Sequence, residues 1–251
     1  MMTGTYRLAD VAVGIESIYD EVHLMCADYR TDEAPEFVVR TTAEDIAEEG
    51  RMSDEERVAE GLPEYHFEPP YLETLAVYRQ IARAMLKRGV LLMHGSVIAV
   101  DGEAYMFTAK SGTGKSTHVR LWRRLFGPRA VMVNDDKPLL RIPQAEASEG
   151  IAARVMVYGT PWDGKHHLSN NIAVPLKAIV VLDRGAENEI HRLTVQEAFP
   201  TLLQQSFREK DALGTLQTMR MLSELSKQVG FYHLHCNMEP DAARVAYEGI
   251  S

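Results

Sequence analysis

Residues 108–117 read Thr-Ala-Lys-Ser-Gly-Thr-Gly-Lys-Ser-Thr, and this stretch constrains the fold more than any other part of the chain. It follows an apolar run at 104–107 and precedes a helical pattern at 118–126. A strand, a glycine-rich turn and a helix in this order form the context that a phosphate-binding loop (P-loop) requires. The stretch therefore predicts an α/β domain that binds a nucleotide where the strand passes into the helix. The alternative is a Gly/Ser/Thr turn that binds nothing.

The positions of this loop have separate predicted tasks. Its small residues let backbone N–H groups point at phosphate oxygens, and the following helix presents its positive end. Lys115 can reach the β and γ phosphates, and the Ser116 hydroxyl can bind Mg²⁺. The residues predicted to bind ATP with Mg²⁺ are Ser111, Gly112, Thr113, Gly114, Lys115, Ser116 and Thr117. The full motif has glycine where this chain has Ala109, so the loop either starts with a negative φ or carries strain of about 1–2 kcal/mol.

The composition limits the kinds of partner. The chain has 251 residues, is 45% hydrophobic and has a formal net charge of −9. This size suits one soluble domain, or one domain with an appendage. The acidic balance argues against nucleic acid or a membrane as the main partner, and a homo-oligomer is compatible with it. No stretch has the length of a membrane-spanning helix, no signal peptide is recognised, and Cys26 and Cys236 have no paired spacing. We expect a cytoplasmic protein with reduced thiols.

The N-terminal part is predicted to be rich in β-structure. Runs at 9–18, 22–25 and 37–39 have the composition of strands. The acidic segment 41–61 favours a solvated helical face or loop over a substrate-docking role. Three prolines, Pro63, Pro69 and Pro70, then mark the best seam. The predicted division is 1–68 for the β-rich part, which is compatible with membership of the same domain, and 69–251 for the P-loop domain.

His94 is the candidate functional residue upstream of the loop. A helix at 71–88 is predicted to end at Gly89, and residues 90–100 are predicted to form one buried strand, or two strands joined at Gly95. The Asp101-Gly102 pair is typical of a hairpin turn. This hairpin would lay His94 beside the P-loop. Taken by itself, His94 is better explained as a core histidine with a satisfied hydrogen bond.

An acid pair follows the loop. A short apolar run at 130–133 ends in Asn134-Asp135-Asp136. Carboxylates at the carboxyl end of a strand are well placed for ligand chemistry in an open sheet. The two tasks they suit are holding Mg²⁺ and accepting a proton from an attacking hydroxyl. The alternative is an Asn-Asp turn before Pro138.

The order of His94-Gly-Ser-Val, the 111–117 loop and Asn134-Asp-Asp resembles the HPr kinase/phosphorylase family, which shares its nucleotide-binding fold with phosphoenolpyruvate carboxykinase. The resemblance covers roughly residues 90–140. It implies an active site of His94, Lys115, Asp135 and Asp136, with Lys115 on phosphate, and Ser116 with one acid, Asp136, on Mg²⁺. The other acid, Asp135, would be the base, although the exchanged assignment stays open. His94 would lie close to the transferred phosphoryl group.

The chain departs from that family in two signatures. The Arg-Asp-Arg-Arg cluster near the C-terminus and the Glu-Ile-Arg-Gly stretch after the acid pair are absent. The chain therefore looks most like short kinase-like members that lack the segments tied to HPr and to phosphorolysis. Whether pyrophosphate can replace ATP is left open by the sequence.

The second half of the chain adds one further candidate segment. Residues 159–171 form a long loop dense in polar, glycine and aromatic residues, and such loops commonly carry function. Lys165 is predicted to contact γ-phosphate or substrate, Trp162 to pack on a ligand, and Asn170 or Asn171 to hydrogen-bond it. The alternative is an ordered hairpin in which Trp162 covers the core. His233 and His235 share a face of a late strand, but two histidines without a third ligand do not predict zinc.

These patterns predict a mixed β-sheet with flanking helices and a P-loop, similar to phosphoenolpyruvate carboxykinase and HPr kinase. The predicted function is a Mg-ATP-dependent kinase that transfers the γ-phosphoryl group to a serine-type hydroxyl of a small molecule or peptide. Two alternatives remain: a nucleotide-binding regulatory module with little turnover, and a carboxykinase-type lyase.

Overall fold

The chain divides into two compact units, Met1–Met85 and Leu86–Ser251. The computed structural model describes residues 1–59, 61, 63, 65–143, 154–209 and 211–250. Within these residues, no helix combines the length and the apolar character needed to cross a membrane. The domain boundary predicted after residue 68 stays a prediction.

The first unit contains a three-stranded sheet followed by helices. Its elements are β1 (Met2–Leu8), β2 (Val11–Ser17), α1 (Glu21–Met25), β3 (Phe37–Arg40), α2 (Ala43–Ala59) and α3 (Pro69–Leu86). The predicted strand at 22–25 is wrong, because these residues form α1, in which only Val22 is buried. A short apolar run does not distinguish a strand from a helical turn. The acidic segment is helical, as α2, and Glu60 lies outside the described residues.

A buried carboxylate fixes the end of β2. Glu73 of α3 is 1% exposed. It accepts hydrogen bonds from the backbone N–H groups of Ile18 (2.7 Å) and Tyr19 (2.8 Å) and from the Thr41 hydroxyl (2.5 Å). A buried charge is tolerated when its oxygens are satisfied in this way. Glu73 therefore has a structural role within the first unit, where it holds the end of β2.

The second unit is built on a mixed sheet, which has nine strands in the described part of the chain. The strands are β4 (Val90–Leu92), β5 (Ser96–Val100), β6 (Glu103–Thr108), β7 (Ala130–Asn134), β8 (Leu139–Arg141), β9 (Met156–Tyr158), β10 (Ala173–Arg184), β11 (Glu189–Arg192) and β12 (Gly230–Cys236). The helices are α4 (Lys115–Phe126), α5 (Val195–Gln204), α6 (Ala212–Leu225) and α7 (Asp241–Gly249). The predicted mixed α/β fold class is confirmed at this level.

Helices cover both faces of this sheet. Along β5, Val97 and Ala99 join a core that includes residues of α5 and α6, whereas Ile98 and Val100 join a core that includes residues of α4 and α7. Successive side chains of a strand point to opposite faces, so a strand buried on both faces is apolar throughout. This burial explains the continuous apolar runs in the sequence.

The strand directions bring four chain segments to one edge of the sheet. Strands β6, β10 and β12 are parallel neighbours, and β5 runs antiparallel to both β6 and β7. Strands β6, β7, β10 and β12 therefore all end at the same edge, where β5 begins. The predicted Asp101-Gly102 hairpin joins β5 to β6, with φ of 52° and 81° at its two residues. Ligands of open α/β sheets bind outside such carboxyl ends.

The buried ring of His118, in α4, makes the stability of the fold depend on pH. The ring is 2% exposed, and its Nε2 accepts a hydrogen bond of 3.0 Å from Trp122 Nε1. Burial lowers the pKa of His118 to about 3. The folded ring thus stays neutral while the ring of the unfolded chain is protonated below its ordinary pKa of 6.5. His118 therefore lowers the stability of the fold as the pH falls through this window.

We expect the His118→Gln variant to be less sensitive to acid than the wild type, because the glutamine amide keeps an acceptor for Trp122 and does not titrate. Between pH 6.5 and 5 the wild type should lose about 1.6 kcal/mol more unfolding free energy, because the slope rises from half of about 1.4 kcal/mol per pH unit to nearly that full value. Urea unfolding of both proteins at several pH values measures this difference. Parallel pH profiles would contradict the assignment of a neutral buried ring.

Candidate functional site

The glycine-rich turn, residues 109–114, joins the end of β6 to the start of α4. Gly112 and Gly114 have φ of 75° and 126°, a backbone region that favours glycine. Ala109 does not have a positive φ, and it is 4% exposed. The strain considered for Ala109 therefore does not arise. The predicted order of strand, turn and helix is present.

The predicted nucleotide-binding residues differ in exposure. Ser111 and Gly112 are exposed, whereas Thr113, Gly114, Ser116 and Thr117 are half-buried and Lys115 is buried. The Lys115 ammonium donates hydrogen bonds to the carbonyl oxygens of Ala109 (3.0 Å) and Lys110 (3.4 Å). Its charge is thereby held over the turn, at the N-terminus of α4. A cation, backbone N–H groups and a helix N-terminus together favour the binding of an anion.

Arg184, at the end of β10, makes a second attachment to this turn. Its Nε donates to the Thr113 carbonyl (3.0 Å) and its Nη2 to the Gly112 carbonyl (2.6 Å). The guanidinium fork thus fixes the backbone of the turn and adds a positive charge beside it. Sequence reasoning missed this residue. The only available signal was a cation at the end of a buried strand.

His94 lies between the turn and the acid pair. The Thr108 hydroxyl donates to the His94 carbonyl (2.8 Å), while the His94 N–H donates to the Gln205 carbonyl (2.8 Å). The ring Nδ1 lies 2.9 Å from Gln205 Oε1, and Nε2 lies 3.4 Å from Asp136 Oδ1. Burial, followed by the charge of Lys115, lowers the pKa of His94. His94 is thus bonded to the end of β6, from which the turn begins, and lies beside Asp136.

Asn134 shapes the backbone that carries the acid pair. Its Oδ1 accepts hydrogen bonds from the N–H groups of Asp136 (2.9 Å) and Lys137 (2.7 Å), and its amide donates to the Thr160 carbonyl (2.9 Å). Asn134 is 0% exposed. The Asn-Asp turn considered as an alternative thus exists, and it orients the two carboxylates.

The two carboxylates have different partners. Asp135 is 7% exposed and accepts a hydrogen bond from the Ser96 hydroxyl (2.6 Å). Burial raises the pKa of Asp135, and hydrogen bonds from the Ser96 and Ser116 hydroxyls oppose this rise. Asp136 is half-buried and accepts from Lys137 Nζ (3.0 Å) in addition to its contact with His94. The Ser116 hydroxyl at the start of α4 therefore acts on Asp135, whereas Asp136 lies beside His94.

The 159–171 loop packs against this acid turn. Lys165 is exposed on a short 3-10 turn, Gly164–His166, and a Cβ on Gly164 would lie 3.2 Å from Asp136 Cβ. Trp162 is 4% exposed, and the Asn170 amide donates to the Met132 carbonyl (2.7 Å). Trp162 thus serves the core, as the structural alternative predicted, and Asn170 anchors the loop. The contact of Lys165 with γ-phosphate or substrate stays a prediction.

Gly159 shows how tightly this loop is attached. A Cβ on Gly159 would lie 2.0 Å from the Asn170 carbonyl oxygen and 2.5 Å from that of Val133. Backbone oxygens cannot rotate away, so we expect Gly159→Ala to lower the unfolding free energy by about 3 kcal/mol, at the upper end for overpacking. Thermal and urea unfolding measure this loss.

Gly50→Ala is the matched control. Gly50 lies in the helix α2, and a Cβ there would meet only the flexible end of Leu72, at 3.3 Å. Its effect should stay below about 1 kcal/mol. Equal effects of both substitutions would contradict the close attachment of the loop at Gly159.

The histidines of β12 pack with each other and with an aspartate. The rings of His233 and His235 lie 4.3 Å apart between centroids, and His233 Nε2 lies 2.7 Å from Asp183 Oδ2. Among the described residues, no group of three or more His, Cys, Asp or Glu side chains could hold a metal ion.

The fold and these contacts define a class: a mixed α/β protein whose candidate site lies at the carboxyl edge of parallel strands. The family model described as SynChlorMet cassette protein ScmC matches residues 70–240, which is more than half of the chain. The protein belongs to the ScmC family. A comparison with curated proteins gave no match.

Among solved structures, the HPr(Ser) kinase/phosphatase from Coxiella burnetii is similar at 9% identity, covering 62% of this chain and 94% of that chain. The TM-score is 0.30, so this similarity is a distant relation of fold at most. The residue roles proposed below rest on the contacts of this chain.

Proposed function

We propose that this protein is a Mg-ATP-dependent kinase of the HPr kinase-like type. It would transfer the γ-phosphoryl group to a serine-type hydroxyl of a small molecule or peptide. The observation that carries the proposal is the gathering of the buried Lys115 ammonium, His94 and the acid pair at one edge of the sheet, where His94 Nε2 lies 3.4 Å from Asp136 Oδ1 and the charge of Lys115 acts on the pKa of His94. Phosphoryl transfer needs a phosphate-binding group, a Mg²⁺ ligand and a proton acceptor in one site. Side chains of all three kinds meet at this edge of the sheet.

Lys115 and the glycine-rich turn would hold the phosphates. In the protein alone the ammonium donates to two carbonyl groups of the turn. A phosphate oxygen would replace these neutral acceptors by a charged one, which strengthens the hydrogen bonds. Ser111 to Thr117 would supply N–H groups, and Lys165 would approach the γ-phosphate from the turn that packs on Asp136. Catalysis would then be mainly positioning and electrostatic stabilisation.

Ser116 and Asp135 would hold the Mg²⁺ ion. The support is the influence of the Ser116 hydroxyl on Asp135, whose pKa it lowers against the larger effect of burial, since a hydroxyl and a carboxylate that lie near each other can share one hard cation. This assignment exchanges the roles that the sequence favoured, in which Asp136 binds the metal and Asp135 is the base. When bound, Mg²⁺ supplies charge neutralisation to the β and γ phosphates.

Asp136 would accept the proton of the acceptor hydroxyl. It is more exposed than Asp135, and it lies beside His94 and Lys137. Because its pKa is lowered, His94 is neutral near pH 7, and its Nε2 faces Asp136. His94 would thus lie between the acid pair and the phosphates without adding a positive charge to compete with Lys115.

A transfer assay with γ-labelled ATP tests the proposal. The protein is incubated with Mg²⁺ and panels of hydroxyl metabolites and serine-containing peptides, with and without chelator. We expect label on at least one acceptor, and its loss with chelator. ATP binding without transfer to any member of broad panels, and without ATP hydrolysis, would favour the regulatory module instead.

A further inference from the structure

A cleft of about 470 Å³ opens beside the glycine-rich turn. It lies between α4 and the ends of β10 and β12, and its lining includes residues 112–114 and Thr117. It is therefore continuous with the proposed phosphate site. Its volume falls within the range of about 300–1,000 Å³ that small-molecule sites occupy. A nucleotide with its phosphates on the turn would extend its base and sugar into this cleft.

The walls of the cleft away from the turn are apolar. They include Leu121 of α4, Leu182 of β10, and Cys236 and Met238 at the end of β12. Leu121, Leu182 and Cys236 are buried, and Met238 is 78% exposed. Burial raises the pKa of the Cys236 thiol to about 11, so this group is neutral. Apolar side chains of this kind can pack against the faces of a base.

Beyond the turn and Thr117, three polar side chains line the cleft, and each already has partners: His118, Asn237, and Arg184, which bonds the Thr113 and Gly112 carbonyls. His118 Nε2 accepts from Trp122, so the ring proton is on Nδ1, which faces Cys236 Sγ at 3.8 Å. The Asn237 amide donates to the Ala186 carbonyl (3.0 Å), and its Oδ1 accepts from the Glu239 N–H (3.0 Å). Arg184, His118 and Asn237 are thus occupied in holding the fold, which leaves shape and apolar contact to select the base.

We propose that this cleft binds the base and ribose of purine nucleoside triphosphates without distinguishing adenine from guanine. The inference rests on the proposed function, because it requires phosphates on the glycine-rich turn. A site that hydrogen-bonds a substrate group rejects an analogue lacking it by about 10⁴–10⁵, whereas an apolar pocket discriminates by about 10–200-fold. ATP and GTP, which differ at the edge of the base, therefore bind with similar affinity.

The first test is calorimetric titration of the full chain, in Mg²⁺, with ATP, GTP and inorganic tripolyphosphate. We expect the affinities for ATP and GTP to agree within about tenfold. Tripolyphosphate, which lacks base and sugar, should bind about 100-fold more weakly, because the apolar walls contribute nothing to it. A preference above about tenfold for either nucleotide would overturn the proposal that the cleft does not distinguish adenine from guanine.

The second test uses Met238→Ala, an exposed position where the fold tolerates truncation. ATP and GTP should both bind about 3- to 10-fold more weakly to this variant, with tripolyphosphate unchanged. Met219→Ala is the matched control, because Met219 is also exposed but lies on α6, outside the cleft. It should bind all three ligands as the wild type does.

The outcomes separate this inference from the proposed function. If tripolyphosphate binds as tightly as ATP in a Lys115-dependent manner, and Met238→Ala changes nothing, the phosphate site stands and the base cleft is refuted. If none of the three ligands binds, the proposed function fails, and the inference fails with it.

Discussion

The Lys115→Ala variant is expected to lose Mg²⁺-dependent ATP binding, with an affinity about 100-fold lower than that of the wild type. The reason is the position of the ammonium, which is buried at the start of α4 and held over the turn by two carbonyl groups. A hydrogen bond to a charged group contributes about 1.5–3 kcal/mol, and the higher value corresponds to a factor of more than about 100. Isothermal titration calorimetry with ATP and Mg²⁺ measures the loss.

The control for this variant removes an equal charge from a distant position. Lys227 is exposed and pairs with Glu224 near the end of α6, so Lys227→Ala should bind ATP as the wild type does. Circular dichroism and thermal unfolding establish that Lys115→Ala is folded. If the folded Lys115→Ala protein binds ATP with wild-type affinity, the glycine-rich turn is a structural turn and the nucleotide site lies elsewhere.

The second large effect is expected at the acid pair. Asp136→Asn should lower the turnover number by about 10²–10⁴, the usual contribution of a positioned acid or base, while ATP affinity changes little. Asp135→Asn keeps an oxygen acceptor for Ser96 but removes the charge beside Ser116. It should therefore raise the Mg²⁺ concentration needed for half-maximal activity. Steady-state kinetics at varied Mg²⁺ and ATP concentrations separate the two effects.

Asp101→Asn is the matched control for both variants. Asp101 is an exposed residue of the β5–β6 hairpin, and asparagine tolerates its positive φ. If Asp135→Asn shows the loss of turnover and Asp136→Asn the Mg²⁺ requirement, the roles favoured by the sequence are correct and the exchange proposed here is not. Full phosphoryl transfer by both variants would exclude the acid pair from catalysis.

Most elements around the candidate site could be predicted because their signals are local. The apolar runs of β5 and β6, the Asp101-Gly102 turn and the periodicity of α4 each act over a few residues. The capping box at the start of α5, formed by Thr194 and Glu197, is also a local signal. The error at residues 22–25 arose where an apolar run was too short for its period to be determined.

The contacts between these elements could not be predicted in the same way. Trp162 is the type of residue that binds ligands in a polar loop, yet its side chain is 4% exposed and its carbonyl accepts a hydrogen bond from the Lys137 N–H. In the sequence, Arg184 has no feature beyond its position at the end of a strand, yet its guanidinium donates two hydrogen bonds to carbonyl groups of the glycine-rich turn. No local pattern distinguishes these outcomes, because each depends on contacts with segments that are distant in the sequence.

The sequence by itself determined the parts of the site and their order: the His94 hairpin, the glycine-rich turn and the strand that ends in Asp135-Asp136. Glycine positions, hydrophobic period and turn residues encode these parts locally. Only the tertiary structure decided that Ser96 bonds Asp135, that His94 lies beside Asp136, and that Gln205, 111 residues away, holds the His94 ring. The physical reason is that these contacts follow from strand order and helix packing, which bring together groups with no signal in their own neighbourhoods.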